Sequence, residues 1–210
     1  MPITQLTPIQ ARVLGVLAEK EKTVPDAYPM SLNSLVTGCN QKTSRDPVME
    51  LSDADALTAI DELKNLHLVI ESSGSRVTRY GHNIGRAMNL PTPATALIVT
   101  LMLRGPQTVA ELRANSERLY RFADASSVEA FLEELSQRAD FPLCKLLPRA
   151  PGAREARWAH LLCGEPEVAA VSSHSARADS SGLAERVTAL EEEVARLAAI
   201  VARLAPDEAA

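Results

Sequence analysis

Gly74-Ser75-Arg76-Val77-Thr78-Arg79-Tyr80-Gly81-His82 and, later in the chain, Gly152-Ala153-Arg154-Glu155-Ala156-Arg157-Trp158-Ala159-His160 are two copies of one pattern: glycine, small, arginine, two variable positions, arginine, aromatic, small, histidine. In both places the pattern follows a helix-like segment and a short apolar run. A match this dense outside low-complexity sequence points to duplication of a whole structural unit. It sets the architecture before any activity is considered.

Upstream of each copy the same order of elements is legible. Thr7-Pro8 and Thr92-Pro93 each put a capping residue before a proline suited to the first helical position. Ile9, Val13, Val16 and Leu17, and then Leu97, Ile98, Leu101 and Met102, follow at helical spacing. Second helices are predicted at Ser31-Leu32-x-x-Leu35 and Thr108-Val109-x-x-Leu112. A third begins at Ser52, with Asp55 completing an acidic capping box, and its counterpart begins near Ser127. Short strands are predicted at Leu66-His67-Leu68-Val69 and Phe141-Pro142-Leu143-Cys144, each followed by a glycine-bearing turn and the arginine-rich strand. Val77-Thr78-Arg79-Tyr80 reads better as strand than helix, which ranks an all-helical tandem repeat second. The expected fold is mainly α with small β-hairpins, an α+β chain of two tandem winged-helix domains followed by a C-terminal coiled-coil helix. The expected boundaries are 1–88 and 89–165 for the two domains, 166–182 for a flexible linker and 183–205 for the coiled coil.

Several longer stretches are shared with a known group of proteins. Leu14-Gly15-Val16-Leu17-Ala18-Glu19-Lys20-Glu21, Tyr28-Pro29-Met30-Ser31-Leu32-Asn33-Ser34-Leu35, Cys39-Asn40-Gln41-Lys42, Ser44-Arg45-Asp46-Pro47-Val48 and Met102-Leu103-Arg104-Gly105-Pro106-Gln107-Thr108 resemble the bacterial YceH-like family. The resemblance covers residues 5–164 and implies a tandem winged-helix fold. That family is functionally uncharacterised, so the resemblance implies no catalytic residues.

The tail is read on its own terms. Residues 166–182 are rich in serine, alanine and small polar types, the composition of a flexible linker. Beyond them Leu183, Val187, Leu190, Val194, Leu197, Val201 and Leu204 step alternately by four and three residues. Valine at each a and leucine at each d favours two parallel strands, so a parallel homodimer is expected. Arg186 at a g position would face Glu191 at the partner's following e position. A single amphipathic helix folded back on the domains is the alternative, although such helices usually carry a wider apolar stripe.

Charge divides unevenly. Residues 1–90 carry 9 basic and 10 acidic side chains, 91–165 carry 9 and 9, and 166–210 carry 4 and 8, so the net of −5 sits mostly in the tail. Neither repeat has the strong positive balance of a dedicated nucleic-acid binder. The N-terminus lacks the basic and apolar regions of a signal peptide. The longest apolar stretch, Ala94 to Leu103, is too short to span a bilayer. Three cysteines without C-x-x-C spacing fit a reducing compartment, and a cytoplasmic protein with no membrane partner is expected.

Chemistry is sparse. His67, His82, His160 and His174 are scattered, no two Cys or His lie at ligand spacing, and there is no Gly-x-Ser-x-Gly elbow, phosphate-cradling loop or His-Glu-x-x-His. His82 and His160 hold equivalent places, as strand-end residues capping or hydrogen bonding in each copy would. No cofactor, metal site or enzymatic activity is expected.

Winged-helix units suggest double-stranded DNA, with the third helix in the major groove and the wing on phosphate or the minor groove. Here the third helices are acidic. Asp53, Asp55, Asp61 and Glu62 face Lys64 alone in the first, and Glu129, Glu133 and Glu134 precede Arg138 in the second. Carboxylates repel phosphate and release no condensed counterions, which argues against major-groove insertion. The candidate nucleic-acid contacts are instead Lys42 and Arg45 in the loop between helices two and three, and Arg76, Arg79, Arg154 and Arg157 on the wings. A structural alternative has Arg76 and Arg154 packing on Tyr80 and Trp158, with Arg79 and Arg157 pairing with third-helix carboxylates. Two functions stay open: a DNA-associated or regulatory protein contacting phosphates through wings and loop, or a winged-helix protein-interaction scaffold without direct DNA binding.

Overall fold

Thr7 caps the first helix as its sequence predicts: its hydroxyl accepts from the Gln10 amide at 3.2 Å while the Gln10 side chain accepts from the Thr7 amide at 2.7 Å. The computed structural model describes residues 5–72, 77–166 and 196. Helix α1 spans Pro8–Thr23, a 3₁₀ turn covers Pro25–Ala27, strand β1 is Met30–Ser31, and α2 is Leu32–Cys39. Helix α3, Asp53–Asn65, is followed by β2, Val69–Ser72, β3, Arg79–His82, and a short α4, Ile84–Ala87. Then come α5, Thr92–Arg104, α6, Val109–Ser116, α7, Ala125–Ser136, β4, Cys144–Leu146, and β5, Trp158–His160. The fold is α+β, helical with small antiparallel sheets.

Local chemistry explains where the elements start. Ser52 and Asp55 form the expected reciprocal box on α3, and Thr108 and Glu111 form one on α6. Two starts differ from expectation. Helix α5 begins at Thr92 itself, because Pro91 holds the extended cap conformation. Helix α7 begins at Ala125, because Asp124 rather than Ser127 is the cap and Ser127 closes the box from inside.

Both early strands fall three residues later than predicted. In the first repeat, Leu66-His67-Leu68 is not strand but the stop of α3. His67 adopts a left-handed φ of 58°, its amide donates to Lys64 O at 2.9 Å, and the Leu68 amide donates to Leu63 O at 2.9 Å. That paired 5→2 and 6→1 bonding satisfies carbonyls that a helix end leaves open. In the second repeat, Leu143 donates to Leu135 O at 3.0 Å, and the ladder begins only at Cys144.

The duplication is visible in the pairing register. β1 pairs with β3, Met30 opposite Tyr80, and in the second repeat Gln107 bridges Trp158 at the matching place. The first repeat therefore has a three-stranded sheet ordered β1-β3-β2 and the second a two-stranded one, β4-β5. Buried Gln107 retains its polar group by donating to Gly105 O at 3.2 Å and accepting from Asn115 Nδ2 at 2.7 Å.

Both repeats contribute to one hydrophobic core, and together they form a single compact unit, Met1–Glu167. Residues Gln10–Ala18 of α1 are buried without interruption, since α2 and α3 cover one side and α5 the other. Gly15 lets α1 and α5 cross closely: a Cβ there would stand 2.9 Å from Leu103 Cδ2 and 3.1 Å from its Cγ. The unit also joins its own ends. The Leu6 amide donates to Leu162 O at 2.7 Å, and Gln5 Nε2 donates to Cys163 O at 2.7 Å. Among the described residues no helix is long and apolar enough to cross a membrane. Residues 167–182 of the expected linker and the heptad positions Leu183, Val187, Leu190, Val194, Leu197, Val201 and Leu204 lie outside the described residues, as does Arg76.

The crossing generates a test. Gly15→Val should lower stability by about 2 kcal/mol, because the added methyls meet buried Leu103 and the helices must separate. Chemical denaturation measures it, and an unchanged midpoint would show that α1 and α5 can shift apart freely.

Candidate nucleic-acid interface

The loop from Asn40 to Leu51 carries the sequence's most suggestive polar cluster, and the fold fastens it at three places. At its mouth, Asn40 Nδ2 donates to Leu51 O at 2.9 Å and the Leu51 amide donates to Asn40 Oδ1 at 2.8 Å. The side chain thus imitates a backbone bridge. At its far side, the Asp46 amide donates to Leu103 O at 2.8 Å, and Arg104 Nη2 donates to Ser44 Oγ at 2.8 Å, tying the loop to α5 of the second repeat.

Arg45 is the third fastening. Its side chain is fully buried, and its Nη2 donates to Glu19 Oε2 at 2.6 Å and to Gln41 Oε1 at 2.8 Å. Its Nη1 donates to Ser44 O at 2.8 Å and Glu19 Oε1 at 3.2 Å, and its Nε to Gly38 O at 3.2 Å. All five guanidinium N–H donors are occupied. Arg45, expected to touch phosphate, is therefore a structural ion-pair partner with nothing left to offer a ligand. Burial pushes the Glu19 carboxyl up, but the hydrogen bonds and charge of Arg45, with Lys20, outweigh it and hold the pKa below the usual range.

Fixing the loop in this way opens a cleft of about 500 Å³ between α1, the loop, α5 and the end of α6. Lys20, Lys42, Arg104 and Arg118 line it, with Gln41, Thr43, Ser44 and Asn115 supplying neutral polar groups. Its single carboxylate is Glu19, engaged by Arg45 and 3.4 Å from Lys20 Nζ. Lys42 and Arg118 are exposed. Of the predicted contacts only Lys42 lies here. Lys20, Arg104 and Arg118 escape a sequence reading because they lie far apart in the chain and only the fold brings them to one cleft.

Two of the wing arginines, Arg79 and Arg157, serve the repeat itself. Arg79 Nη1 donates to Pro29 O at 2.8 Å, and Arg157 Nη1 donates to Pro106 O at 2.8 Å, the equivalent carbonyl in the other copy. Each arginine thus braces the segment entering its second helix. Arg157 also holds Glu111 at 2.9 Å, so its carboxylate partner lies on α6 and not, as the structural alternative had it, on the third helix. Arg154 is exposed in the hairpin turn, away from the cleft's lining.

The third helices present carboxylates to solvent. Asp53, Asp55, Asp61 and Glu62 on α3, and Glu129, Glu133 and Glu134 on α7, are exposed. Lys64 is occupied by Glu71 and by Asp61 at 3.4 Å. The equivalent histidines differ: His82 Nδ1 accepts from the Ile84 amide at 3.3 Å, whereas in His160, half-buried, the enclosed Nδ1 atom has no partner. Among the described residues no three His, Cys, Asp or Glu side chains gather as a metal site would require.

The family described as "Protein of unknown function, DUF480" matches residues 6–153. A UPF0502 protein of Leptothrix cholodnii is 67% identical over 177 residues, covering 84% of this chain and 79% of that protein. One from Polaromonas sp. is 57% identical over 208 residues, covering 97% and 88%, and one from Burkholderia orbicola is 54% identical over 217 residues, covering 98% and 90%.

The Arg45–Glu19 pair separates a structural from a binding role. Arg45→Ala should cost about 3 kcal/mol, because Glu19 is left partly buried with only Lys20, 3.4 Å away, to offset its charge. Since the folded-state pKa of Glu19 is depressed, the pair's contribution is fully present above the ordinary carboxylate range and is lost as pH falls through the folded value. Glu19→Gln should therefore flatten the decline of stability below about pH 4.3. Urea titrations across acidic pH check both, and an Arg45→Ala chain of parental stability would return that residue to the candidate contacts.

Proposed function

This chain belongs to the DUF480 family of proteins of unknown function, and we propose that it is a non-enzymatic tandem winged-helix protein that associates with duplex DNA by phosphate contacts. The winged-helix reading is supported by the repeated order of three helices and an antiparallel ribbon, with the segment before each second helix paired to the ribbon's return strand. The observation that carries the DNA reading is the cleft: four cations over one carboxylate that already has its counter-charge. Such an array attracts a polyanion without reading bases. Lys42 is the central contact, Lys20, Arg104 and Arg118 join it, and exposed Arg79 and Arg154 are outlying ones. The acidic third helices stay off the duplex. The heptad pattern of 183–204 in the sequence suits a parallel pair of chains, and free thiols at Cys39, Cys144 and Cys163 suit a cytoplasmic setting.

A second reading has its own support. The exposed carboxylates of α3 and α7 suit a protein-interaction scaffold that never touches DNA.

Salt dependence distinguishes them. Duplex binding should weaken with salt in a log–log line, and replacing Lys42 and Arg118 with Ala should reduce its slope by about 0.9 for each phosphate those side chains neutralise, equally for unrelated duplexes. Both side chains are exposed, so stability should hold. Asp53→Ala with Asp55→Ala should leave binding unchanged or tighter. Absence of binding at low salt would establish the scaffold reading instead, and sequence-selective weakening from the aspartate changes would restore a recognition-helix mode.

A further inference from the structure

A second cavity, of about 220 Å³, lies between α1, residues 46–49, the end of α5 and the segment leaving β5, and it shares no lining residue with the cationic cleft. Its walls are largely apolar, with Ala11, Pro47, Met49, Met102 and Pro106 among them, and Arg12 and His160 are set into the lining.

Those two residues carry an unmet demand. Among the described residues three buried side-chain polar atoms lack a hydrogen-bond partner: Arg12 Nε, His82 Nε2 and His160 Nδ1. His82 Nε2 still has Glu21 Oε2 within 3.3 Å. The other two have no such neighbour, and the residues that carry them, Arg12 and His160, both line this one cavity.

Arg12 is 1% exposed, and its bonds go to carbonyls alone: Nη1 to Cys39 O at 3.0 Å and Nη2 to Pro47 O at 2.5 Å. It forms no ion pair among the described residues. Burial, and then the charge of Arg45, pull its pKa down, while Cys39 and Asp46 pull the other way. A guanidinium held in a protein interior without a carboxylate is costly unless something completes it. Burial pushes His160 down to about 4, so at neutral pH its ring is uncharged and able to donate from one nitrogen. Asp46 and Glu165 also line the cavity, and their charges disfavour a multiply charged anion.

We propose that this cavity is a binding site for a small organic monocarboxylate with an apolar body, whose carboxylate meets Arg12 and His160 while its hydrocarbon part lies on the apolar wall. The single negative charge completes Arg12 and meets less repulsion from Asp46 and Glu165 than a phosphate would. The site is separate from the cationic cleft, since no residue lines both.

Hexanoate is the probe, with hexanol and inorganic phosphate as comparisons, on the full chain labelled with ¹⁵N-histidine. The ring resonances of His160, assigned by a His160→Gln chain, should move saturably with hexanoate at a Kd of about 1 mM or tighter, and not with phosphate. Arg12→Met should weaken hexanoate binding at least about tenfold, the loss of a charge-assisted bond. If that chain fails to fold, the spectra of the parent still decide. An equal response to hexanol would overturn the carboxylate role and leave an apolar void. No response up to about 10 mM hexanoate would overturn the site, leaving water as the partner of Arg12 and His160.

Discussion

One buried guanidinium sets the geometry on which the rest depends. Arg45 comes from a loop, yet its five donors are spent on Glu19, Gln41 and the carbonyls of Gly38 and Ser44. A loop held only by backbone would be free to follow solvent. Here a charge that cannot be exposed without abandoning Glu19 fixes the chain between α2 and α3, and the adjoining Asp46 then reaches α5. Breaking such a pair leaves an isolated charge behind, so the loop and the helix crossing beneath it are stabilised together.

Duplication and divergence are separable in the same terms. The parts that recur do structural work in both copies: capped second helices, the Arg79 and Arg157 braces on Pro29 and Pro106, and the matching Met30–Tyr80 and Gln107–Trp158 pairs. The parts that differ carry the candidate sites. The long loop exists in the first copy alone, and the histidine at the end of the ribbon is bonded to Ile84 in one copy and unpartnered in the other. A unit doubled for stability leaves one copy's positions free to change.

Much of the fold was legible in the sequence because its signals are local. Thr7, Ser52 and Thr108 announce helix starts through atoms three residues away, and the repeated arginine-rich ribbon announces duplication. The misplaced strands also have a local cause, since Leu66-His67-Leu68 has strand composition but spends its amides on the carbonyls of α3. The sites were much less legible. Lys42 stands out by its setting among polar loop residues and does line the cleft, whereas Arg45 nearby looks the same in sequence and differs through Glu19, a partner 26 residues away. Arg12 sits inside an apolar helix, and neither its burial nor its proximity to His160 follows from any periodicity. Charges that matter here are sorted by long-range contacts.

The bonds between residues 5–6 and 162–163 have a topological meaning. Leu6 to Leu162 and Gln5 to Cys163 seat the start of the body directly against its finish. Gly164, at a φ of 90°, allows the close approach, because a Cβ there would collide with Gln5 Nε2. The two repeats thus form a ring closed at one junction by the covalent link between α4 and α5 and at the other by hydrogen bonds. Which repeat is written first is a property of the gene and not of the packing: a circularly permuted chain, joined at the second junction and opened at the first, satisfies the same interior.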